Sequence, residues 1–151
     1  MGFNPVYSFF NSISLAVRGR VTFPKNHIGE IVSTEQGEEF TIFRQVIISP
    51  GKSRPVPQSA AIFRVRFTIA GMSPRQNKRF SLLPIPFIIG LPGFQSKFWL
   101  LNDSTGEFMG IYQWQSREYA EKYSHSFAMR FMTMRATPGS VSFSITGKST
   151  N

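Results

Sequence analysis

Aromatic residues on one predicted strand and the helix after it could together bind a small molecule. Four residues of the strand share one face, because successive side chains of a β-strand point to opposite sides: Phe108, Gly110, Tyr112 and Trp114. Pairing of strand and helix turns that face toward three more aromatic residues: Tyr119, Tyr123 and Phe127. Gly110 leaves space because it has no side chain. The pattern predicts a pocket for a small hydrophobic or aromatic ligand. The alternative is that these residues form ordinary core.

Arg130 is the cation that the sequence places beside this pocket. On a helical wheel at 100° per residue, it flanks the apolar stripe of a predicted helix over residues 117–135. A guanidinium group binds carboxylate or enolate oxygens through paired hydrogen bonds, so Arg130 is a candidate substrate-binding residue. The alternative is a solvent-exposed arginine near the helix C-terminus, where a cation interacts favourably with the helix dipole.

Several common kinds of catalytic site are missing from the sequence. The chain has no cysteine, which excludes disulfide scaffolds, thiolate metal ligands and cysteine nucleophiles. Its two histidines, His27 and His125, lie far apart without an acidic cluster, so no metal site is expected. No nucleophile elbow, phosphate-binding loop or dinucleotide fingerprint occurs. The sequence therefore identifies candidate binding residues without identifying catalytic ones.

The charge balance is strongly basic, with a net charge of +9. Such a charge indicates an anionic partner, which could be nucleic acid, a lipid surface or an acidic small molecule. The basic residues are scattered and no RNA-binding aromatic signature accompanies them, so we expect no nucleic-acid role. No run of 18 apolar residues and no secretory signal is found. These observations predict a cytoplasmic protein.

Residues 1–28 read as an N-terminal arm with one short helix. Four apolar residues recur at helical spacing: Phe9, Ile13, Ala16 and Val17. We expect the arm to pack on the domain or on a partner subunit. The alternative is a membrane-surface anchor, which suits Phe followed by Arg18 and Arg20. A helix of about three turns with few basic residues favours the packed arm, so membrane binding is not expected.

A single domain is predicted over residues 29–151. It begins with a hairpin over residues 29–48, whose second strand covers residues 40–48. Residues 49–58 contain three prolines and one glycine, which makes them a boundary loop. The core then runs over residues 61–146.

The core has the order β-α-β-β-α-β of a ferredoxin-like α+β fold. Its predicted strands are residues 61–69, 94–102, 107–115 and 141–145, and its helices are residues 74–83 and 117–135. The 40–48 strand would add an extra edge strand. On the second helix the wheel groups five residues on the buried side: Ala120, Tyr123, Phe127, Phe131 and Met134. Both helices cover one sheet face, so the other would be bare, and a bare apolar face predicts a homodimer with sheets packed face to face.

Short motifs in the core resemble a known family. Gly106 and the segment 110–116, followed by Glu118, Ala120 and Tyr123, are similar to the third strand and second helix of the YdhR-like branch of the dimeric α+β barrel superfamily. Residues 91–99 are similar to the second strand of that branch. The resemblance covers residues 40–145 and implies a homodimer with a pocket between sheet and helices in each subunit.

The same resemblance implies a function. It indicates a cofactor-independent, monooxygenase-like enzyme that acts on an aromatic or polyketide-like substrate, or else a non-enzymatic binding or structural dimer. Trp114 resembles the strand-three tryptophan of the heme-degrading members, and His125 lies near their helix-two histidine. Their strand-one asparagine has no counterpart in residues 61–69, so heme degradation is not expected.

Overall fold

Seven antiparallel strands form one sheet in the computed structural model, which describes residues 3–49 and 60–147. The strands are β1 (Val21–Thr22), β2 (Ile31–Ser33), β3 (Glu39–Ile48), β4 (Ala61–Phe67), β5 (Phe94–Leu101), β6 (Phe108–Trp114) and β7 (Ser142–Thr146). The helices are α1 (Pro5–Val17), α2 (Pro74–Phe80), α3 (Ile85–Ile88), α4 (Arg117–Ser124) and α5 (Phe127–Arg135). Apart from residue 49, the predicted boundary loop lies outside the described residues.

The strand order is β1-β3-β5-β6-β4-β7, with β2 also paired to β3. The four strands β5-β6-β4-β7 form the ferredoxin-like core, which confirms the predicted fold class. As predicted, β3 is an additional strand next to β5. Its outer side is not a free edge, however, because the short strands β1 and β2 pair along it.

Local sequence signals explain the elements around β4. Its residues alternate, so that Phe63 and Val65 are fully buried while Arg64 is exposed. Ser73 caps α2 by accepting a hydrogen bond from the backbone N–H of Gln76, whose side chain bonds back to Ser73 in a capping box. Residues 81–84 form turns instead of the predicted last turn of α2, and the apolar segment after them is buried as expected.

The predicted helix over residues 117–135 is two helices, which corrects the sequence-based prediction. The chain is extended at Ser126, whose hydroxyl accepts a hydrogen bond from the Met129 backbone N–H and starts α5. The break changes which side of the second helix is buried. Phe131 and Met134 were expected in the buried stripe, but they are 43% and 82% exposed, while Ala128 and Met129 are buried.

The main core lies between the sheet and helices α3, α4 and α5, which all pack on one face. The opposite face is only partly covered in the single chain, where the prediction had it bare. Phe40 and Leu100 are fully buried there in a second apolar cluster, and Phe98 and Ile111 are half-buried. Arg66 covers part of this cluster, with its guanidinium carbon 5.2 Å from the centroid of the Phe40 ring. No helix within residues 3–49 and 60–147 is long and apolar enough to cross a lipid bilayer.

The break between α4 and α5 should depend on Ser126. Replacing Ser126 by Ala removes the cap and leaves the Met129 backbone N–H without its partner, so we expect a loss of about 1 kcal/mol in the free energy of unfolding. Urea denaturation measures it. Ser124→Ala is the matched control, because the Ser124 hydroxyl only bonds the Glu121 carbonyl at an exposed position. Equal stability of the two variants would show that the cap does not hold α5.

Candidate functional site

A narrow cavity of about 80 Å³ lies between the helix-covered face of the sheet and helices α2 and α5. Its walls are almost entirely apolar. The polar residues that line it are Asn77, Ser81, Lys97, Tyr112, Tyr123 and Arg135. Apolar walls with a few convergent polar groups are typical of small-molecule sites.

Lys97 projects into this cavity from β5. It is 7% exposed, and its Nζ lies 4.3 Å from the ring centroids of both Trp99 and Tyr112. Among the described residues, none gives Nζ a hydrogen bond or a carboxylate partner. Burial, and secondarily the positive charge of Arg44, holds the pKa of Lys97 well below its ordinary value.

Two opposing effects act on the charge of Lys97. The faces of two aromatic rings favour the ammonium form, each by about 2 kcal/mol or more when the cation is desolvated. Burial without an opposite charge costs several kcal/mol per ion. Burial dominates here, so folding lowers the pKa of Lys97 and favours the uncharged amine, whose lone pair can accept a proton.

Tyr112 and Tyr123 place two hydroxyl groups at the cavity. The Tyr123 hydroxyl donates to the Tyr112 oxygen across 2.9 Å, and both side chains are buried. Burial raises the pKa of Tyr112, and burial together with the neighbouring Tyr112 raises the pKa of Tyr123, so both stay protonated. Because Tyr123 donates to Tyr112, the proton of the Tyr112 hydroxyl remains available for a ligand.

Gly110 makes this arrangement possible. A Cβ atom at Gly110 would lie 2.8 Å from the Tyr112 ring and 3.4 Å from the Lys97 side chain. Any larger residue would push the Tyr112 ring away from its place beside Lys97. The absent side chain at this strand position is therefore what lets the amine and the phenol share one cavity.

The structure distributes the six sequence-predicted binding residues over several places. Tyr112 and Tyr123 line the cavity, and Trp114 is fully buried behind them, 5.0 Å from Tyr123 between ring centroids. Tyr119 faces another depression beside Gly93, and Phe127 lines a groove near α1. Arg130 is exposed on α5 and does not line the cavity.

Sequence reasoning missed Lys97, Asn77 and Arg135. A signal for Lys97 was present, because plain alternation along β5 places it on the same face as Trp99 and Leu101. A lysine between large apolar residues on a core-facing side is unusual and marks a candidate site. Asn77 and Arg135 gave no such signal, since their role depends on where α2 and α5 end. In the described parts of the chain, no three His, Cys, Asp or Glu side chains are grouped to hold a metal.

The charge state of Lys97 can be tested through stability. Its pKa is lower in the folded than in the unfolded chain, so between the two values the unfolded chain binds one more proton and stability rises with pH. Lys97→Met removes this term. We therefore expect it to gain stability over wild type near pH 7, with the gain shrinking by about 1.4 kcal/mol per pH unit up to about pH 10. Urea denaturation at several pH values measures the difference in the free energy of unfolding between Lys97→Met and wild type.

Lys122→Met is the control for that experiment, because Lys122 is an exposed lysine on α4. Its stability should stay parallel to wild type across the same range. Parallel curves for Lys97→Met as well would mean that Lys97 is charged in the folded protein.

Comparisons with known proteins agree with this architecture. A crystal structure of an uncharacterised ferredoxin-fold protein related to antibiotic biosynthesis monooxygenases, from Listeria monocytogenes 4b F2365, superposes with a TM-score of 0.51 at 12% identity. The alignment covers 87% of this chain and 93% of that one. At this identity the likeness shows the fold alone. An anthrone oxidase-like protein reaches a TM-score of 0.48 at 12% identity, over 73% of this chain and 56% of its own.

No curated protein matches the chain significantly. A match to a protein family comes from residues 62–149, which fit the family described as "Putative mono-oxygenase ydhR". These residues are more than half of the chain and include nearly all of β4, the strands β5 to β7 and every sheet residue that lines the cavity. The chain therefore belongs to the ydhR family, as its strand and helix motifs predicted.

Proposed function

We propose that this protein is a homodimeric oxygenase that needs no cofactor and oxidises an aromatic or polyketide-like substrate. The observation that carries the proposal is a buried, unpaired lysine that shares an apolar cavity with two tyrosine hydroxyls. Membership in a mono-oxygenase family supports the reaction class. The residues of the cavity suit a substrate that must lose a proton before it can react with oxygen.

The first step in this proposal is proton transfer to Lys97. A substrate with an acidic C–H or phenolic O–H gives its proton to the neutral amine, and the electron pair stays on the substrate as a carbanion or phenolate. The new ammonium ion forms between the faces of Trp99 and Tyr112, where cation–π attraction stabilises it. The Tyr112 hydroxyl donates a hydrogen bond to the substrate oxygen that becomes negative.

Molecular oxygen is the oxidant and second substrate. Oxidation of a CH₂ group to a carbonyl is a four-electron change, which one O₂ molecule accepts. One oxygen atom enters the substrate as the carbonyl, and the other leaves as water with the two hydrogens that the carbon lost. The protein contributes positioning, a base and a hydrogen-bond donor to the anion.

Substrate entry requires the cavity to widen. Sites for drug-sized ligands have volumes of roughly 300–1,000 Å³, and this one is about 80 Å³. The rim consists of Phe80, Phe131 and Arg135. The Arg135 guanidinium stacks 3.3 Å from the Phe80 centroid, and the two phenyl rings are stacked at 6.4 Å. Phe131 is partly exposed, so in our proposal this stack moves outward to admit the substrate.

The small cavity also supports a second candidate function. A site that stays closed would make the protein a non-enzymatic binding or structural dimer with the same fold. Lys97 would then be a buried core residue without a catalytic role. The two functions differ in one measurable property, which is oxygen consumption.

Oxygen uptake tests the proposed activity. With a panel of polycyclic phenols and 1,3-diketones, wild type should consume one O₂ per product formed, measured with an oxygen electrode and mass spectrometry. Lys97→Met should lower kcat by about 10²-fold or more, which is the usual contribution of a general base. Lys122→Met is the matched control and should keep full activity. Activity unchanged by Lys97→Met, or no uptake with any compound, would contradict the proposed reaction.

The dimer is proposed to form through the sheet face that carries Phe98 and Ile111. Light scattering should give about twice the chain mass of 17.1 kDa. Ile111→Glu should halve that mass, because a carboxylate would be buried without a partner at the centre of the contact. Val17→Glu, on the exposed side of α1, should leave the dimer intact. A wild-type mass near 17.1 kDa would contradict the proposed dimer.

A further inference from the structure

Helix α1 is packed with its polar side inward. Three buried residues face the domain: Ser8, Ser12 and Leu15. The Ser8 hydroxyl donates to the Phe87 carbonyl at 2.5 Å, and the Asn11 amide donates to the Gly90 carbonyl at 2.9 Å. The backbone of α1 lies close to Gly90, since a Cβ atom at Gly90 would be 2.0 Å from the Ser8 carbonyl oxygen. Specific hydrogen bonds and small residues therefore fix this side against α3.

The outer side of α1 is apolar. Five exposed residues form it: Val6, Phe9, Phe10, Ile13 and Val17. At 100° per residue they fall within about 100° of the helix circumference, roughly opposite the buried serines. A surface helix of a globular protein normally has the reverse arrangement, with its apolar stripe facing the core. The helix thus presents to its surroundings the side that water solvates least well.

This stripe continues onto the neighbouring elements. An apolar groove of about 380 Å³ separates α1 from α5, and it runs from Pro5 past Phe87 to Phe127 and Phe131. The Phe9 and Phe87 rings lie 5.5 Å apart. Leu83 lines this groove and is 62% exposed, and its chain neighbour Leu82 is 53% exposed. We call the outer apolar surface the set Val6, Phe9, Phe10, Ile13, Val17, Leu82, Leu83 and Phe131.

The helices that form the outer apolar surface carry no acidic residue. The eight acidic residues of the chain lie at positions 30–39, 103–107 and 118–121, so helices α1, α2, α3 and α5 carry none. Three exposed arginines lie close in sequence to residues of this surface. Arg18 caps the C-terminus of α1, Arg79 lies three residues before Leu82, and Arg130 lies directly before Phe131. Within the described residues, none of these arginines has a carboxylate partner. An apolar surface flanked by unpaired cations complements an anionic, amphipathic partner.

We propose that the outer apolar surface docks onto an anionic lipid membrane. In this arrangement α1, about 20 Å long, lies in the plane of the interface with its apolar side among the acyl chains. Arg18, Arg79 and Arg130 remain at the level of the anionic headgroups. A second copy of the chain fits less well, because two copies facing each other would bring together cations of the same sign without a carboxylate between them.

This proposal reverses the sequence-based preference for a merely packed arm. The helix does pack on the domain, but mainly through its polar side, and the domain supplies the basic residues that the arm lacks. The surface meets the Lys97 cavity only at the rim residue Phe131. The variants that test docking leave Phe131 unchanged, so membrane docking and oxygenase activity can succeed or fail independently.

Vesicle co-sedimentation of the full chain tests the proposal. Wild type should pellet with phosphatidylcholine vesicles containing 30% phosphatidylserine and stay in solution with pure phosphatidylcholine. Replacing both Arg79 and Arg130 by Gln should weaken partitioning by roughly 25-fold, about fivefold for each cation. Arg64→Gln is the matched control, because Arg64 is exposed on the opposite face of the sheet, and it should cost no more than twofold.

The apolar contribution is tested with Phe10→Ser, which should abolish pelleting without changing urea stability, since Phe10 is 65% exposed. Ile31→Ser, at a 59% exposed apolar position on β2, should bind vesicles like wild type. Failure of wild type to pellet with anionic vesicles would overturn the proposal. Light scattering that shows a halved mass for Phe10→Ser would overturn it in favour of a contact between copies.

Discussion

The structure depends on burying one lysine without a counter-charge. Lys97 lies under two aromatic rings in a cavity whose lining residues include no carboxylate, so folding favours the uncharged amine over the ammonium ion. A purely structural core would place an apolar residue here at lower cost, because an unpaired buried ionisable group is destabilising. We therefore connect its presence with the proposed reaction, in which a neutral amine in an apolar site acts as the base.

Three features of the fold orient the Lys97 side chain and leave space around its amine. An irregularity in the pairing of β5 with β6 lies just before Lys97, between Phe94 and Ser96, and alternation from there aims Lys97 at the helices. Gly110 on the neighbouring strand provides the space. The break at Ser126 turns Phe131 outward, so that α5 supplies a partly exposed rim instead of a fully packed wall.

Much of this fold could be predicted from residue patterns, and the site only in part. The alternation of apolar and polar residues along β4 and the motif around Tyr112 were strong local signals. Together they predicted the correct family. The break between α4 and α5 could not be recognised from the sequence, because Ser126 is compatible with helix interiors and caps alike. The helical wheel for one continuous helix therefore placed Phe131 wrongly on the buried side. Arg130 was expected near the pocket for the same reason. The inverted packing of α1 was not predictable, because its serines are buried by contacts 79 residues away.

An NMR titration of Lys97 tests the central claim most directly. In protein with labelled lysine side chains, the signal that is missing from Lys97→Met belongs to Lys97, and its shift against pH gives the pKa. The account predicts a pKa well below the ordinary value of about 10.4, with the amine neutral in the folded protein at physiological pH. A Lys97 signal that titrates near 10.4 would contradict the account, because the cavity would then contain an ammonium ion and no base.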